Sequence, residues 1–275
     1  MNWRSIESGY EQQALLLGNG ASRALWDGFA YGSLLEEACS RIDHPLTEAD
    51  QRIFDSLEST SNFERVLQAI GTAKKVAVAL GHPTRELTQR YKSIQRALIE
   101  SVTSTHVPWD LVPGLSLTRI RRALEFYEYV FTTNYDLITY WAVMSADRGA
   151  GFLDYCLHGN FHEIHDWTWA DRRTKVLYLH GGIHLYQRLE GGTIKRTASS
   201  ENLLRLFESR PLVYAVPLFI SEGNYRDKVR AIHRNDYLSF ALGQLASYEG
   251  RLVVFGSSLG VADRHLAEAM SPLTN

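Results

Sequence analysis

Cysteine is nearly missing from this chain. Cys39 and Cys156 are the only two in 275 residues, too few for a disulfide framework or a four-thiolate zinc site. Neither sign of charge is in excess: 29 basic residues face 31 acidic ones, for a formal net charge of -2. The strongly basic footprint of a nucleic-acid-binding face is therefore absent, and no direct nucleic-acid binding is expected. No apolar run approaches the roughly 20 residues of a membrane span. The opening residues, Met1 to Ser8, lack the apolar centre of a secretory signal. A cytoplasmic protein without membrane contact is expected. Internal repeats and low-complexity tracts are missing too, which excludes a solenoid or a disordered tail as the organising feature.

What is present is a set of four short strings spread almost end to end. They read L-L-L-G-N-G-A-S (15–22), V-F-T-T-N-Y-D (130–136), L-Y-L-H-G-G-I-H-L-Y (177–186) and L-V-V-F-G-S-S-L (252–259). Each starts apolar and breaks into Gly, Asn, Ser, Thr or His. Strands buried on both faces of a parallel sheet read as continuous apolar runs. Ligands of open α/β sheets bind just beyond the carboxyl ends of such strands. Four strands with small polar ends thus predict one shared polar crevice.

Between the first and second strings the texture is helical. Phe63, Val66, Leu67, Ile70, Ala73, Val76, Ala77 and Leu80 recur at spacings of three and four and form one apolar face. Gly81-His82-Pro83 stops that helix, and a second amphipathic helix is expected over about 85–103. Pro108, Pro113 and Gly114 mark a loop before a further helix. Strand and helix then alternate: a strand at 129–134, a helix at 135–146, strands at 176–180 and 212–220, a long helix at 225–248, and a strand at 251–256. A hairpin is expected over 183–196, around Gly191-Gly192, and a short helix from Asp263. Residues 152–175 fit no regular pattern. The expected fold is α/β, a Rossmann-like parallel sheet flanked by helices. One domain covers 1–275, with its core in 1–24 and 128–275 and a helical insertion over 25–127.

The strand ends carry the chemistry. Gly18-Asn19-Gly20 with Ser22 forms a tight strand-to-helix turn, where glycine permits close approach of a phosphate to a helix N-terminus. The third glycine of the dinucleotide fingerprint and the lysine of a Walker motif are both missing, so a plain turn stays an equal reading. Thr132, Thr133 and Asn134 offer hydroxyls and an amide suited to a ribose, whereas Asp136 or Asn134 also reads as a simple helix cap. His180, followed by Gly181, stands where a neutral imidazole serves as a general base. The Gly256-Ser257-Ser258 turn is a second nest for phosphate or ribose. His158, His162 and His165 lie near Cys156, but without a clear fourth ligand or a familiar spacing, so no metal is expected.

Taken in order, these motifs resemble the sirtuin (silent information regulator) superfamily, which shows G-A-G-I-S, T-Q-N-I-D, H-G and G-T-S-L in the same sequence. The similarity is closer to the bacterial domain of unknown function family 4917. It rests on L-G-N-G-A-S, N-F-E-R-V-L, T-T-N-Y-D-L, Y-L-H-G-G-I-H-L, I-S-E-G and F-G-S-S-L with Asp263-x-His265, nearly the whole chain. Sirtuin deacylases carry a four-cysteine zinc module that this chain cannot build, so deacylation is not expected. The resemblance implies an NAD+ glycohydrolase with NAD+ as substrate. Asn134 would orient water or ribose hydroxyls, and His180 would accept a proton. Gly18, Asn19, Gly20, Ser22, Thr132, Thr133, Gly181, Gly256, Ser257, Ser258 and Asp263 would hold the nucleotide, and Asp136 would face the nicotinamide amide. It further implies NAD+ depletion in anti-phage defence, by a homo-oligomer or with a defence-system partner protein. Two other readings stand beside it: a sensor that binds NAD+ or ADP-ribose without turnover, and a metal-dependent hydrolase at the His158–His165 cluster.

Overall fold

The structure is a computed structural model, and it describes residues 13–29, 34–41, 46–146, 149–163, 173–197, 203–205, 214–220 and 225–271. Strand β1 (Gln13–Leu17) runs into the short helix α1 (Asn19–Arg23). Helices α2 (Leu34–Ser40), α3 (Glu48–Ser56), α4 (Phe63–Ala79), α5 (Arg85–Thr105) and α6 (Gly114–Leu124) follow before the next strand. Then come β2 (Tyr129–Thr132), α7 (Ile138–Met144), β3 (Phe152–Leu153), β4 (Cys156–Leu157), β5 (Asn160–Phe161) and β6 (Thr174–Tyr178). The chain continues through β7 (Gly181–Arg188), β8 (Thr193–Lys195), β9 (Ala215–Phe219), α8 (Tyr225–His233), α9 (Asp236–Ala246), β10 (Arg251–Phe255) and α10 (Arg264–Met270).

One sheet has the order β10-β1-β2-β6-β3, and every pairing in it is parallel. The four motif strands are thus neighbours, and their polar ends share one edge. β1 and β6 are buried along their whole length, as an apolar run between two helical layers requires. Among the described residues β10 has a neighbour on one side only, and Val254 and Phe255 are about 40% exposed. Leu15, Leu16, Val130, Phe131, Val176 and Leu177 of this sheet pack against Tyr237, Leu238 and Ala241 of α9 and Leu266 of α10. A second cluster joins the helices between β1 and β2 to α7 and to Ile183, Tyr186 and Phe219.

Several expectations need correction. The strand expected at 212–220 is β9, and it belongs to a second, antiparallel sheet of order β4-β5-β8-β7-β9 rather than to the motif sheet. The expected hairpin is β7–β8, with Tyr186 opposite Ile194. The irregular stretch after Gly151 supplies β3, β4 and β5, each only two residues long, too short to show a period. The long helix at 225–248 is two helices. Asn235 adopts extended geometry between them, accepts from Leu238 N at 2.8 Å and donates to Thr193 Oγ1 at 3.0 Å. An N-cap bonded to a neighbouring strand outweighs the helical period. On α4, Phe63, Val66, Leu67 and Ile70 are buried, but Val76 and Leu80 are more than half exposed. Among the described residues, only the first half of that apolar face is buried against a partner. None of the described helices is long and apolar enough to cross a membrane.

One contact couples the helices between β1 and β2 to the polar sheet edge. His106, at the C-terminal end of α5, is packed edge-on against Phe29 and Trp141. Its Nδ1 lies 2.8 Å from the Val107 carbonyl, and its Nε2 accepts from Leu137 N at 3.0 Å. That fixes a neutral ring with the hydrogen on Nδ1. Burial lowers its pKa to about 4, against a partial offset from the Val107 bond. A histidine held neutral stabilises the fold fully above about pH 6.5, and the stabilisation is lost as pH falls toward about 4. His106→Leu should flatten the rise of unfolding free energy across that window by about 2–4 kcal/mol, read from urea melts at pH 4.5 and 7.5. An unchanged slope would show that His106 is not held neutral.

Candidate functional site

The first and last motifs meet backbone to backbone. Gly18 N donates to Phe255 O at 2.9 Å and Gly20 N to Gly256 O at 2.8 Å. Gly256 has φ of +72°, and a Cβ there would sit 2.4 Å from Ala21 N. A Cβ on Gly20 would come within 2.9 Å of Gly256. These glycines are required because two loops approach each other. The N–H groups of Gly18 and Gly20, expected to face a phosphate, are engaged by the opposite loop.

Behind this contact lies a buried polar network. Asn134 Nδ2 donates to Gly18 O at 3.0 Å and to Ser22 Oγ at 2.9 Å, and Ser22 Oγ donates to Asp136 Oδ2 at 2.6 Å. Asp136 Oδ1 accepts from Ile138 N at 2.8 Å. Thr132 Oγ1 accepts from Asn134 N, and Thr133 Oγ1 donates to Leu17 O. Among the described residues, Asn134 Oδ1 is buried without a partner. An unpaired buried carbonyl oxygen is costly, and this one belongs to a residue that lines a cavity. Asp136 is buried and its pKa is raised by desolvation, partly offset by the Ser22 and Ile138 hydrogen bonds.

The cavity occupies about 290 Å³, at the lower end of the range for ligand pockets. Of the expected site residues, Asn19, Thr133, Asn134, Asp136, His180, Gly256, Ser257, Ser258 and Asp263 line it. Gly18, Gly20, Ser22 and Thr132 stand behind its wall, where they hold the lining residues. Gly181 lies in β7 opposite Phe219 and serves strand pairing.

His180 is buried at the turn between β6 and β7. Its Nε2 lies 3.0 Å from His265 Nε2 and 4.0 Å from Asp263 Oδ1. Lys228 of α8 donates to Asp263 Oδ1 at 2.8 Å and also lines the cavity. Burial foremost, with the Lys228 ammonium, lowers the His180 pKa to about 3. The pKa of Asp263 is lowered, because its bond to Lys228 outweighs its partial burial. Lys228 and the role of His265 escaped the sequence reading. His265 had a signal in the Asp263-x-His265 spacing, whereas Lys228 had none, since only the placement of α8 brings it to the strand ends.

His180, Asp263 and His265 bring three potential metal-ligand atoms within 4.8 Å of one another. The Lys228 ammonium already neutralises the carboxylate, so a divalent cation there would meet a fixed positive charge. The arrangement is suited to sharing a proton. Of the other histidine cluster, His158 and His162 are exposed and His165 lies outside the described residues. Burial pushes the nearby Cys156 thiol far up, which disfavours the thiolate that a metal needs.

The model of the family Domain of unknown function (DUF4917) matches residues 15–274. No curated protein matches the chain. Among solved structures the chain is similar to a mutant Sir2 homologue in complex with ADP ribose, at 12% identity and a TM-score of 0.37. That match covers 98% of this chain and 80% of the other, a likeness too distant to transfer residues.

The raised pKa of Asp136 has a measurable consequence. A carboxyl that prefers its proton in the folded state stabilises the fold below its ordinary range near 3.8. That stabilisation is lost as pH rises through the raised value. Asp136→Asn keeps an acceptor for Ile138 N and cannot ionise. Its unfolding free energy, measured by urea melts between pH 3.5 and 7, should lack that descending component. A variant as pH-dependent as the parent over that range would contradict the burial argument.

Proposed function

We propose that this chain, which belongs to the family Domain of unknown function (DUF4917), is an NAD+ glycohydrolase. It would cleave the nicotinamide–ribose bond to give nicotinamide and ADP-ribose. The observation that carries this reading is the gathering of Asn134, His180, Asp263 and the Ser257-Ser258 loop around one cavity at the ends of parallel strands, where open α/β sheets hold ligands. The motif resemblance to sirtuins supplies the substrate.

The leaving group is a cationic nicotinamide, so the barrier is lowered by holding the ribose as it turns oxocarbenium-like and by placing a water beside it. In this reading the unpartnered Asn134 Oδ1 accepts from a ribose hydroxyl or from that water. Asn19, Thr133, Ser257 and Ser258 hold the sugar and phosphates, and Lys228 faces the pyrophosphate. His180, neutral at working pH, accepts from a ribose hydroxyl. A nitrogen with a pKa of about 3 is a weak base. A pyrophosphate that draws the Lys228 charge would raise it toward the useful range. Asp136 supports the site as a buried cap, since both its oxygens are engaged by Ser22 and Ile138. The chain would act as one domain, as a homo-oligomer or with a defence-system partner, to deplete NAD+ in anti-phage defence.

A second reading is a module that binds NAD+ or ADP-ribose without turnover. The low basicity of His180 favours it, because such a ring binds a hydroxyl more readily than it removes a proton. Nicotinamide release beside calorimetry with ADP-ribose separates the two.

His180→Ala should lower nicotinamide release by about 10²–10⁴-fold while ADP-ribose still binds. Asn134→Ala should also abolish release, and in addition cost about 1–3 kcal/mol of stability from its lost bonds to Gly18 and Ser22. Full activity in both variants would sink the mechanism.

A further inference from the structure

His265 does not line the cavity; it stands behind His180, at the start of α10, and is 4% exposed. The two rings have centroids 5.1 Å apart and planes 34° apart, with their Nε2 atoms at 3.0 Å. His265 Nδ1 is buried without a partner among the described residues. Two imidazole nitrogens at this distance share one hydrogen. Two hydrogens would collide, and none would leave two lone pairs facing each other. Two neutral rings joined in this way hold opposite tautomers. The donor through Nε2 keeps a bare Nδ1, and the acceptor carries its hydrogen on Nδ1.

The nearer ring to the carboxylate indicates the donor. Asp263 Oδ1 lies 4.0 Å from His180 Nε2 and farther, within 4.8 Å, from a His265 nitrogen, and a carboxylate favours a hydrogen on the nitrogen that stands closest to it. Lys228 and Tyr225 approach from α8, and Glu268 lies on the His265 helix. We propose that His265 is a positioning residue that accepts the Nε2 hydrogen of His180. It thereby holds that ring in the tautomer whose Nδ1 lone pair can take a hydrogen bond from a ribose hydroxyl. Its own Nδ1–H stays buried without a partner among the described residues, at a cost to the fold. When His180 takes a proton at Nδ1, its Nε2 hydrogen can pass to His265 Nε2. No hydrogen is gained or lost by the pair beyond the one received, and the positive charge then rests on His265. The catalytic part of this inference depends on the NAD+ reading; the tautomer does not.

The test has two arms. Protein labelled with ¹⁵N-histidine, assigned with the His180→Ala and His265→Leu variants, reports the hydrogen on each ring nitrogen by NMR without any ligand. The expected spectrum has His180 protonated on Nε2 and His265 on Nδ1, and His180 loses its fixed tautomer in His265→Leu. In the second arm, nicotinamide release is measured over a range of NAD+ concentrations. His265→Leu should lower kcat by roughly 10–100-fold, the scale on which outer hydrogen-bond partners act on a working histidine, with KM little changed. His265→Gln, whose amide still reaches His180 Nε2, should recover most of that loss. A His180 hydrogen on Nδ1, or wild-type kcat in His265→Leu, overturns the proposal. So does stoichiometric metal bound by the two rings in purified protein. The expected tautomers in a wild-type protein that binds ADP-ribose but releases no nicotinamide support the positioning role and defeat only the glycohydrolase reading.

Discussion

The cleft depends on two loops that can touch only because neither carries side chains at the point of contact. Gly20 N donates to Gly256 O, and a Cβ on either residue would fall inside the other's backbone. This approach brings the first and last strands of the chain to one edge as neighbours in register, Leu17 beside Phe255. Ser22, at the far side of the same turn, then reaches Asp136 and Asn134. Three strand ends are thereby joined by a few buried polar atoms. Such a network is rigid because each member would be expensive to leave unpaired in a medium of low polarity. Asn134 Oδ1, the oxygen of this network left unpaired among the described residues, is therefore the most informative atom in the site.

The helices between β1 and β2 are part of this construction. His106 reaches from the end of α5 to the backbone of Leu137, directly after the T-T-N-Y-D string. Phe29, also before β2, lines the cavity and takes a hydrogen bond from Asn19 on its carbonyl. These helices fix the entrance to α7 through His106, and Phe29 closes one wall of the cleft.

Charge in the cleft is paired beside His180. One buried ammonium, Lys228, meets one carboxylate, Asp263, and two neutral imidazoles lie beside them. The pair holds both charged groups in place at little net charge, and desolvation keeps His180 and His265 unprotonated. An anionic ligand entering here would shift the balance by drawing on Lys228, which changes the basicity of His180 without any movement of the ring.

Much of this was legible in the residue order. A strand covered on both faces must be apolar for its whole length, and its end must turn polar where the covering helices stop. That is why L-L-L-G-N-G, V-F-T-T-N, L-Y-L-H-G and L-V-V-F-G-S announced four parallel neighbours and a polar edge, with Asn134, His180 and Ser257 upon it. The antiparallel sheet was hidden in part because strands of two or three residues carry no period. The break at Asn235 was hidden because its cap is completed by Thr193, 42 residues earlier in the chain. Lys228 and His265 come from helices whose rotation is set by packing, and helix periodicity says which face is apolar but not what a polar residue will meet. Residue order alone specified that the four motif strands are parallel neighbours with a polar edge, because that follows from local burial; it did not specify their lateral order. Packing settles which edge atoms are already spent on one another, because the partners stand far apart in the chain, Gly18 and Asn134 by 116 positions and His180 and His265 by 85.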